Sequence, residues 1–167
     1  MKEILIIGAG KSTSVLIDHL LSKAETEDLF LKIGDIDLEN AKKACGNKSR
    51  CEAFHLDVFN AESRENAVKN ADIVISMLPA RFHIEVAQAC VKFKKNMVTA
   101  SYISKEMKAL DEEVKKNGLI FMNEIGVDPG IDHMSAMQVI DRIRDKGGKM
   151  LLFESFTGGL VAPESDT

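Results

Sequence analysis

The stretch Ile4-Leu5-Ile6-Ile7-Gly8-Ala9-Gly10-Lys11-Ser12-Thr13 decides how the rest of this 167-residue chain is read. Its unbroken apolar run, without period-two alternation, suits a strand buried on both faces of a sheet. Two glycines one residue apart follow at once. A helical pattern then runs from about Lys11 to Ser22, with Leu16, Ile17, Leu20 and Leu21 on one stripe. Strand, Gly-x-Gly turn and helix start in that order form an anion site, because the backbone N–H groups of the first turn lack intrahelical partners. Gly8 permits the tight turn, and Gly10 lets the backbone approach a pyrophosphate with no Cβ in the way. The third fingerprint position, where helix packs on strand, holds Thr13 rather than Gly or Ala. That bulkier residue is expected to push the helix slightly off the sheet. Lys11, Ser12 and Thr13 complete the candidate cradle, with two hydroxyls available to phosphate oxygens. A Walker-type loop is excluded, since its second glycine would have to stand at Leu5. A purely structural turn is the rival reading.

Outward from that turn, short apolar runs alternate with helical segments, the pattern of βα units on a parallel sheet. Strands are expected at Leu29–Ile33, Ala53–Leu56, Asp72–Ile75, Asn96–Thr99 and Leu119–Met122. Helices are expected at Leu38–Cys45, Ala61–Lys69, Ile84–Phe93 and Ser104–Lys116. The fold class is therefore α/β, a doubly wound parallel sheet of the Rossmann type, with residues 1–128 as a dinucleotide-binding domain. After Met122 the regularity changes. Turn formers fill Asn123–Gly130, a helix follows from about Ile131 to Arg144, and Lys149–Phe156 reads as a strand. Residues 129–167 are expected to begin a second, α+β substrate and dimerisation domain that is incomplete, ending on the polar tail Pro163–Thr167.

Composition narrows the class. The hydrophobic fraction of 45% supports a core, and the net charge of −4 argues against nucleic acid as a general partner. No apolar run approaches the roughly 20 residues that span a bilayer, and the start of the chain does not read as a signal peptide. Cys45, Cys51 and Cys90 are odd in number and form no CxxC pair, so neither a disulfide frame nor a zinc site is expected. A reduced, cytoplasmic setting is the simple reading. The scattered histidines His19, His55, His83 and His133 predict no metal.

In such sheets the ligand lies beyond the carboxyl ends of the strands. Asp35, ending the second strand, is suited to accept hydrogen bonds from ribose hydroxyls and to repel a 2′-phosphate. Neither Ile36 nor Asp37 supplies a cation, so NAD is the expected cofactor and NADP the alternative. Asp37 reads as the N-cap of the following helix. Asp57 and Val58 fall where adenine is flanked, although Asp57 could equally cap a turn. Met77, Leu78 and Pro79 follow the fourth strand, where Pro79 keeps Leu78 extended along a nicotinamide ribose; Met77 could also be core. Ser101 and Tyr102 follow the fifth strand. Asp128 precedes Pro129 as a candidate N-cap with proline at the first helical position. Asp132 and His133 read as an exposed first turn, and His83 as a residue of a helix face.

Three strings carry a family resemblance: Ser76-Met77-Leu78-Pro79 with Phe82-His83, Thr99-Ala100-Ser101-Tyr102-Ile103-Ser104, and Asn123-Glu124-Ile125-Gly126-Val127-Asp128-Pro129-Gly130-Ile131-Asp132-His133. Together they resemble the amino-terminal half of the glutamate-forming saccharopine dehydrogenases. Thr157-Gly158-Gly159-Leu160 with Ala162-Pro163-Glu164 resembles that family's entry into its substrate domain. The resemblance implies NAD(P)-dependent oxidation of the secondary amine of saccharopine, an imine that is hydrolysed, and release of glutamate and 2-aminoadipate semialdehyde in lysine metabolism. It implies Ser101, Tyr102 and Asp128 beside nicotinamide and substrate, with Thr157 and Gly158 opening the second wall. Thr157 stands where the family commonly has Cys, and Asp35-Ile36 replaces the pair that suits NADP in some members. The alternatives are a lysine or carboxyspermidine-type dehydrogenase, or a non-catalytic NAD-binding module. Expected partners are a small-molecule amino-acid substrate and, at full length, a second copy in a homodimer, with no nucleic acid and no membrane. Arg142 and Arg144 read as lying away from the crevice. Cations for the substrate carboxylates are therefore expected beyond Thr167, and the chain itself is expected to bind NAD without turnover.

Overall fold

The computed structural model describes residues 1–156 and 158. Six strands form one parallel sheet: β1 (Lys2–Ile7), β2 (Leu29–Asp35), β3 (Cys51–His55), β4 (Ile73–Ser76), β5 (Asn96–Thr99) and β6 (Phe121–Met122), in the order β3-β2-β1-β4-β5-β6. Strand order reverses beside β1, between β2 on one side and β4 on the other. This is the doubly wound α/β arrangement that the sequence predicts.

The apolar run of β1 shows why no alternation was visible. Leu5 and Ile7 enter one core, with Val74 of β4, Met97 of β5 and Val68, Val86, Ala87 and Cys90 from the helices on that face. Ile4 and Ile6 enter the other, with Leu31, Ile33, Ile17, Ala41 and Cys45. Side chains alternate across a strand, so both sets must be apolar when helices cover both faces. Each such side chain, fully buried, contributes roughly 1.5–3 kcal/mol.

The helices are α1 (Ser14–Lys23), α2 (Leu38–Cys45), α3 (Ala61–Asn70), α4 (His83–Phe93), α5 (Lys105–Ala109), α6 (Asp111–Lys116) and α7 (Ile131–Asp145). Side-chain caps account for several starts. Asp37 accepts from Glu39 N–H at α2, Asn60 from Ser63 N–H at α3, and Ser104 from Met107 N–H at α5. Single 3-10 turns, Lys11–Thr13 and Ala80–Phe82, lead into α1 and α4.

Three expectations are corrected. The single helix expected over Ser104–Lys116 is divided at Leu110, whose N–H bonds to Met107 C=O in a tighter turn. Lys149–Phe156 forms no strand: no described segment pairs with it, and a strand needs a neighbour for its backbone groups. Cys45 and Cys51 are joined as a disulfide, with Cα atoms 5.6 Å apart, because the end of α2 returns directly to the start of β3. An odd cysteine count conceals that pair, and the cysteines give no ground for a reducing compartment. Cys90 is the buried free thiol among the described residues, and burial pushes its pKa up to about 12.

The chain divides into two compact units, Met1–Asp132 and His133–Thr167. The strings that begin at Thr157 and the tail Pro163–Thr167 lie outside the described residues, apart from Gly158. Among the described residues, no helix is long and apolar enough to cross a membrane, and no group of His, Cys, Asp or Glu could hold a metal ion.

Candidate functional site

The site follows the carboxyl ends of the strands in the first unit. At the switch point, Gly8 donates to Gly34 C=O at 2.8 Å and adopts φ +100°, a conformation that costs any residue with a Cβ. A Cβ there would also lie 2.8 Å from the Met77 carbonyl oxygen. Gly10 differs: a Cβ on it would meet nothing within 4 Å, so its face is open to a ligand. Lys11 and Ser12 are exposed on the turn. Thr13 is fully buried, and its hydroxyl has no partner among the described residues. The structure gives Thr13 the helix-on-strand packing of the third fingerprint position and withdraws its hydroxyl from the phosphate role.

Asp35 ends β2 as expected, but its carboxylate is already engaged. Oδ2 accepts from Ala9 N–H at 2.6 Å, and Oδ1 accepts from Asp37 N–H at 2.9 Å. The acid therefore ties the end of β2 to the glycine turn while keeping its negative charge beside the turn. Sequence reasoning foresaw the position and missed the tie.

A cleft of about 340 Å³ opens between these elements, lined by Gly8, Gly10, Asp35, Ile36, Asp57, Val58, Met77, Leu78 and Pro79 of the sequence-derived set. Phe59 and Phe82 also line it, their rings edge to face with centroids 4.9 Å apart. Phe82 stands in the resemblance string Phe82-His83 without a cofactor role, and Phe59 was not singled out from sequence, although it directly follows the Asp57-Val58 pair. Asp57 makes a turn by accepting from Phe59 N–H at 2.9 Å. Val58 is held from behind: its carbonyl accepts from the buried Arg64 guanidinium, which also pairs with Glu85 at 3.3 Å. Met77 packs against the core and lines the cleft at once.

Beyond β4 and β5 the wall becomes polar. Ser76 and Thr99 are paired across the two strands and are both buried. His83, the first residue of α4, reaches back over them. Its Nδ1 lies 2.8 Å from Ser76 Oγ, and its Nε2 lies 2.7 Å from Ser101 Oγ and 3.3 Å from Thr99 Oγ1. His83 is only 3% exposed, so the helix face it stands on is a buried one, and burial lowers its pKa below the usual 6.5. Its position at a helix start just past a strand end was the available clue.

The next residue along, Tyr102, donates its phenol hydrogen to Asp128 Oδ1 at 2.5 Å. That bond, with the negative charges of Asp128, Asp132 and Glu124 nearby, raises the Tyr102 pKa above 10, so the phenol stays protonated at neutral pH. Glu124 fixes the same loop by accepting from Ile103 N–H at 3.0 Å. Asp128 is not the helix N-cap: its bond to Pro129 is cis, and α7 starts only at Ile131. Gly126 donates to Pro129 C=O at 2.8 Å, and Gly130 donates to Asp132 Oδ1 at 2.8 Å. This knot presents Asp128 to Tyr102, and Asp132, exposed in the first turn of α7 as the sequence suggests, is tied into it as well.

A parallel sheet in this order, with a glycine turn, an acid at the end of β2 and an apolar cleft at the switch point, defines the class of dinucleotide-binding proteins. The chain belongs to the saccharopine dehydrogenase family: residues 4–122 match the model of the saccharopine dehydrogenase NADP-binding domain, and residues 126–167 match that of the saccharopine dehydrogenase C-terminal domain. It is 38% identical to saccharopine dehydrogenase (NADP(+), L-glutamate-forming) of Saccharomyces cerevisiae, across 98% of this chain and 36% of that protein. It is 37% identical to the alpha-aminoadipic semialdehyde synthase of Arabidopsis thaliana, across 96% of this chain and 17% of that one. Among solved structures, apo saccharopine dehydrogenase (L-Glu forming) from Saccharomyces cerevisiae superimposes with a TM-score of 0.79 at 33% identity. That match covers 88% of this chain and 32% of the yeast one. The chain thus spans about a third or less of the relatives it matches.

Proposed function

We propose that this chain supplies the cofactor-binding part of an oxidoreductase that oxidises the secondary amine of saccharopine, releasing glutamate and 2-aminoadipate semialdehyde. The observation that carries the reading is the Tyr102–Asp128 pair, bridged at 2.5 Å beside Ser101 at the carboxyl edge of the sheet. Glu124 and Asp132 add negative charge around the phenol. Such an exposed cluster of negative charge suits a substrate that carries protonated amines. The Tyr102 phenol, its hydrogen given to Asp128, can accept from a protonated substrate nitrogen. Asp128 is left as the group that can accept a proton from the amine.

The cleft fits a nicotinamide dinucleotide. Gly10 has an open face for pyrophosphate, the end of β2 carries an acid, and Val58, Phe59, Leu78 and Phe82 offer an apolar wall. When bound, the nicotinamide would accept the hydride from the carbon bearing the substrate nitrogen. Gly8, Gly10, Lys11 and Ser12 would hold the phosphates, Asp35 and Ile36 the adenosine ribose, and Met77, Leu78, Pro79 and Ser101 the nicotinamide side.

NAD is the proposed preference. The matching domain model and the yeast relative are named for NADP. Here, however, a carboxylate stands where a 2′-phosphate would come, and neither Ile36 nor Asp37 offset it. Lys11 and Lys43 line a neighbouring groove with Asp18 and Asn40. Fluorescence titration with NADH and NADPH tests both levels. Binding of neither dinucleotide would sink the cofactor role, and tighter NADPH binding would overturn the preference. Asp35→Asn, which keeps one carbonyl acceptor but removes the charge, should narrow the ratio of the two affinities about tenfold, since one charge contact is worth about 1.4 kcal/mol. Adding saccharopine should alter the emission of bound NADH, and lysine should not.

A further inference from the structure

We infer that His83 is a positioning residue that holds the Nε2–H tautomer and thereby turns the Ser101 hydroxyl into a hydrogen-bond donor aimed at an sp² oxygen of the ligand. The inference rests on the reading above that Ser101 faces the ligand. The argument comes from counting hydrogens in the buried cluster. Ser76, Thr99 and Ser101 each own one hydroxyl hydrogen, and a neutral imidazole owns one N–H.

Two hydroxyl oxygens converge on Nε2, at 2.7 Å and 3.3 Å, whereas Nδ1 meets only Ser76 Oγ at 2.8 Å. An N–H on Nε2 finds acceptors at both Ser101 and Thr99, and Ser76 then donates its hydrogen to the bare Nδ1. In the opposite tautomer, Nδ1–H would occupy the Ser76 oxygen. The 2.7 Å Ser101–Nε2 contact would then need the Ser101 hydrogen, so the Ser76 and Thr99 hydrogens would both lie buried without an acceptor among the described residues, against the Thr99 hydrogen alone when Nε2 carries the proton. Leaving such a group unsatisfied carries the full cost of its desolvation. A second bond fixes the same cluster: Ser101 N–H donates to Thr99 Oγ1 at 3.3 Å, so that oxygen is already an acceptor.

With Nε2–H pointing at its oxygen, Ser101 has no buried acceptor for its own hydrogen, which is free to turn towards the cleft. Ser76 and His83 are buried and Ser101 is only half-buried, so the chain of bonds runs from the interior to the ligand. Burial, which disfavours imidazolium, keeps this arrangement neutral at physiological pH. The ligand atoms that match a serine donor here are the carboxamide oxygen of nicotinamide or a carboxylate oxygen of an amino-acid substrate.

Long-range proton–nitrogen NMR of the ¹⁵N-histidine-labelled chain reads the tautomer directly. His83 should show a protonated Nε2 and a bare Nδ1; the reverse pattern overturns the proposal by itself. Titrations with NADH and with saccharopine then separate the two oxygen sources. Ser101→Ala should weaken whichever ligand Ser101 touches about fivefold, the weight of one neutral hydrogen bond. His83→Asn, whose amide reaches only the Nδ1 position, should weaken it equally. His83→Gln, whose amide nitrogen reaches the Nε2 position, should restore it. Equal losses in the Asn and Gln variants beside an effective Ser101→Ala would overturn the role given to His83 and leave the reading of Ser101 standing. Wild-type affinity for both ligands in Ser101→Ala would instead overturn that reading and the inference with it.

Discussion

The two ends of the crevice are built from different materials. Around the glycine turn the cleft is bounded by backbone, an open glycine face and apolar walls. The acid among them, Asp35, is held by two backbone N–H groups. Around β4, β5 and the Asn123–Asp132 loop, side-chain bonds dominate: Ser76, His83, Thr99 and Ser101 form one chain, Tyr102 pairs with Asp128, and Glu124 holds Ile103 N–H. Backbone recognition depends on spacing and space, so it belongs to a class of ligand. Side-chain recognition depends on the identity of each residue, so it belongs to a reaction.

The sharpest way to break the comparison is Gly8→Ala. Its positive φ alone costs roughly 1–3 kcal/mol, and the new Cβ meets the Met77 carbonyl at 2.8 Å. Urea unfolding should show a stability loss at least that large, and dinucleotide titration should show no binding. A midpoint near wild type would mean that this end is not governed by backbone space.

The side-chain end should yield smaller effects, each tied to pH. His83 has a pKa lowered by burial, so the folded state resists its protonation. Its contribution is complete above the ordinary value of 6.5 and is lost as pH falls through the lowered one. The other histidines are exposed. His83→Gln should therefore lose stability less steeply than wild type below that pH when unfolding is followed by circular dichroism. Identical slopes would remove His83 from the set of groups whose protonation opposes folding.

The finest test uses the single tyrosine of a chain with no tryptophan. Phenolate absorbance should report Tyr102 titrating above 10 in wild type and returning towards 10 in Asp128→Asn. Dinucleotide affinity should stay within about twofold, since an exposed pair contributes little to the other end. An unshifted tyrosine would dissolve the Tyr102–Asp128 pair.

The same contrast explains what could be read from sequence. The alternation of strands and helices, the Asp37 cap and the acid closing β2 follow from periodicity and capping, which are local. The double burial of β1 is also visible, because it removes alternation. The Cys45–Cys51 pairing, the burial of His83 and the bond from Asp35 to Ala9 all depend on elements that meet only after the sheet forms. Residue patterns on either side of such a contact look ordinary. Asp128 misled for the same reason: Asp-Pro before a helical stretch reads as a cap, and only the Gly126–Gly130 knot turns it towards Tyr102.

One consequence of the Asp35 bonds concerns how such a protein could change over generations. The carboxylate that would read the ribose also fastens the glycine turn to the end of β2. On the proposed reading, a substitution that welcomed an extra phosphate would also loosen the loop proposed to hold the pyrophosphate, so a single change at Asp35 would alter both at once. A lineage would need a replacement fastener at Ala9 first, and a designer seeking to exchange the cofactor should begin there.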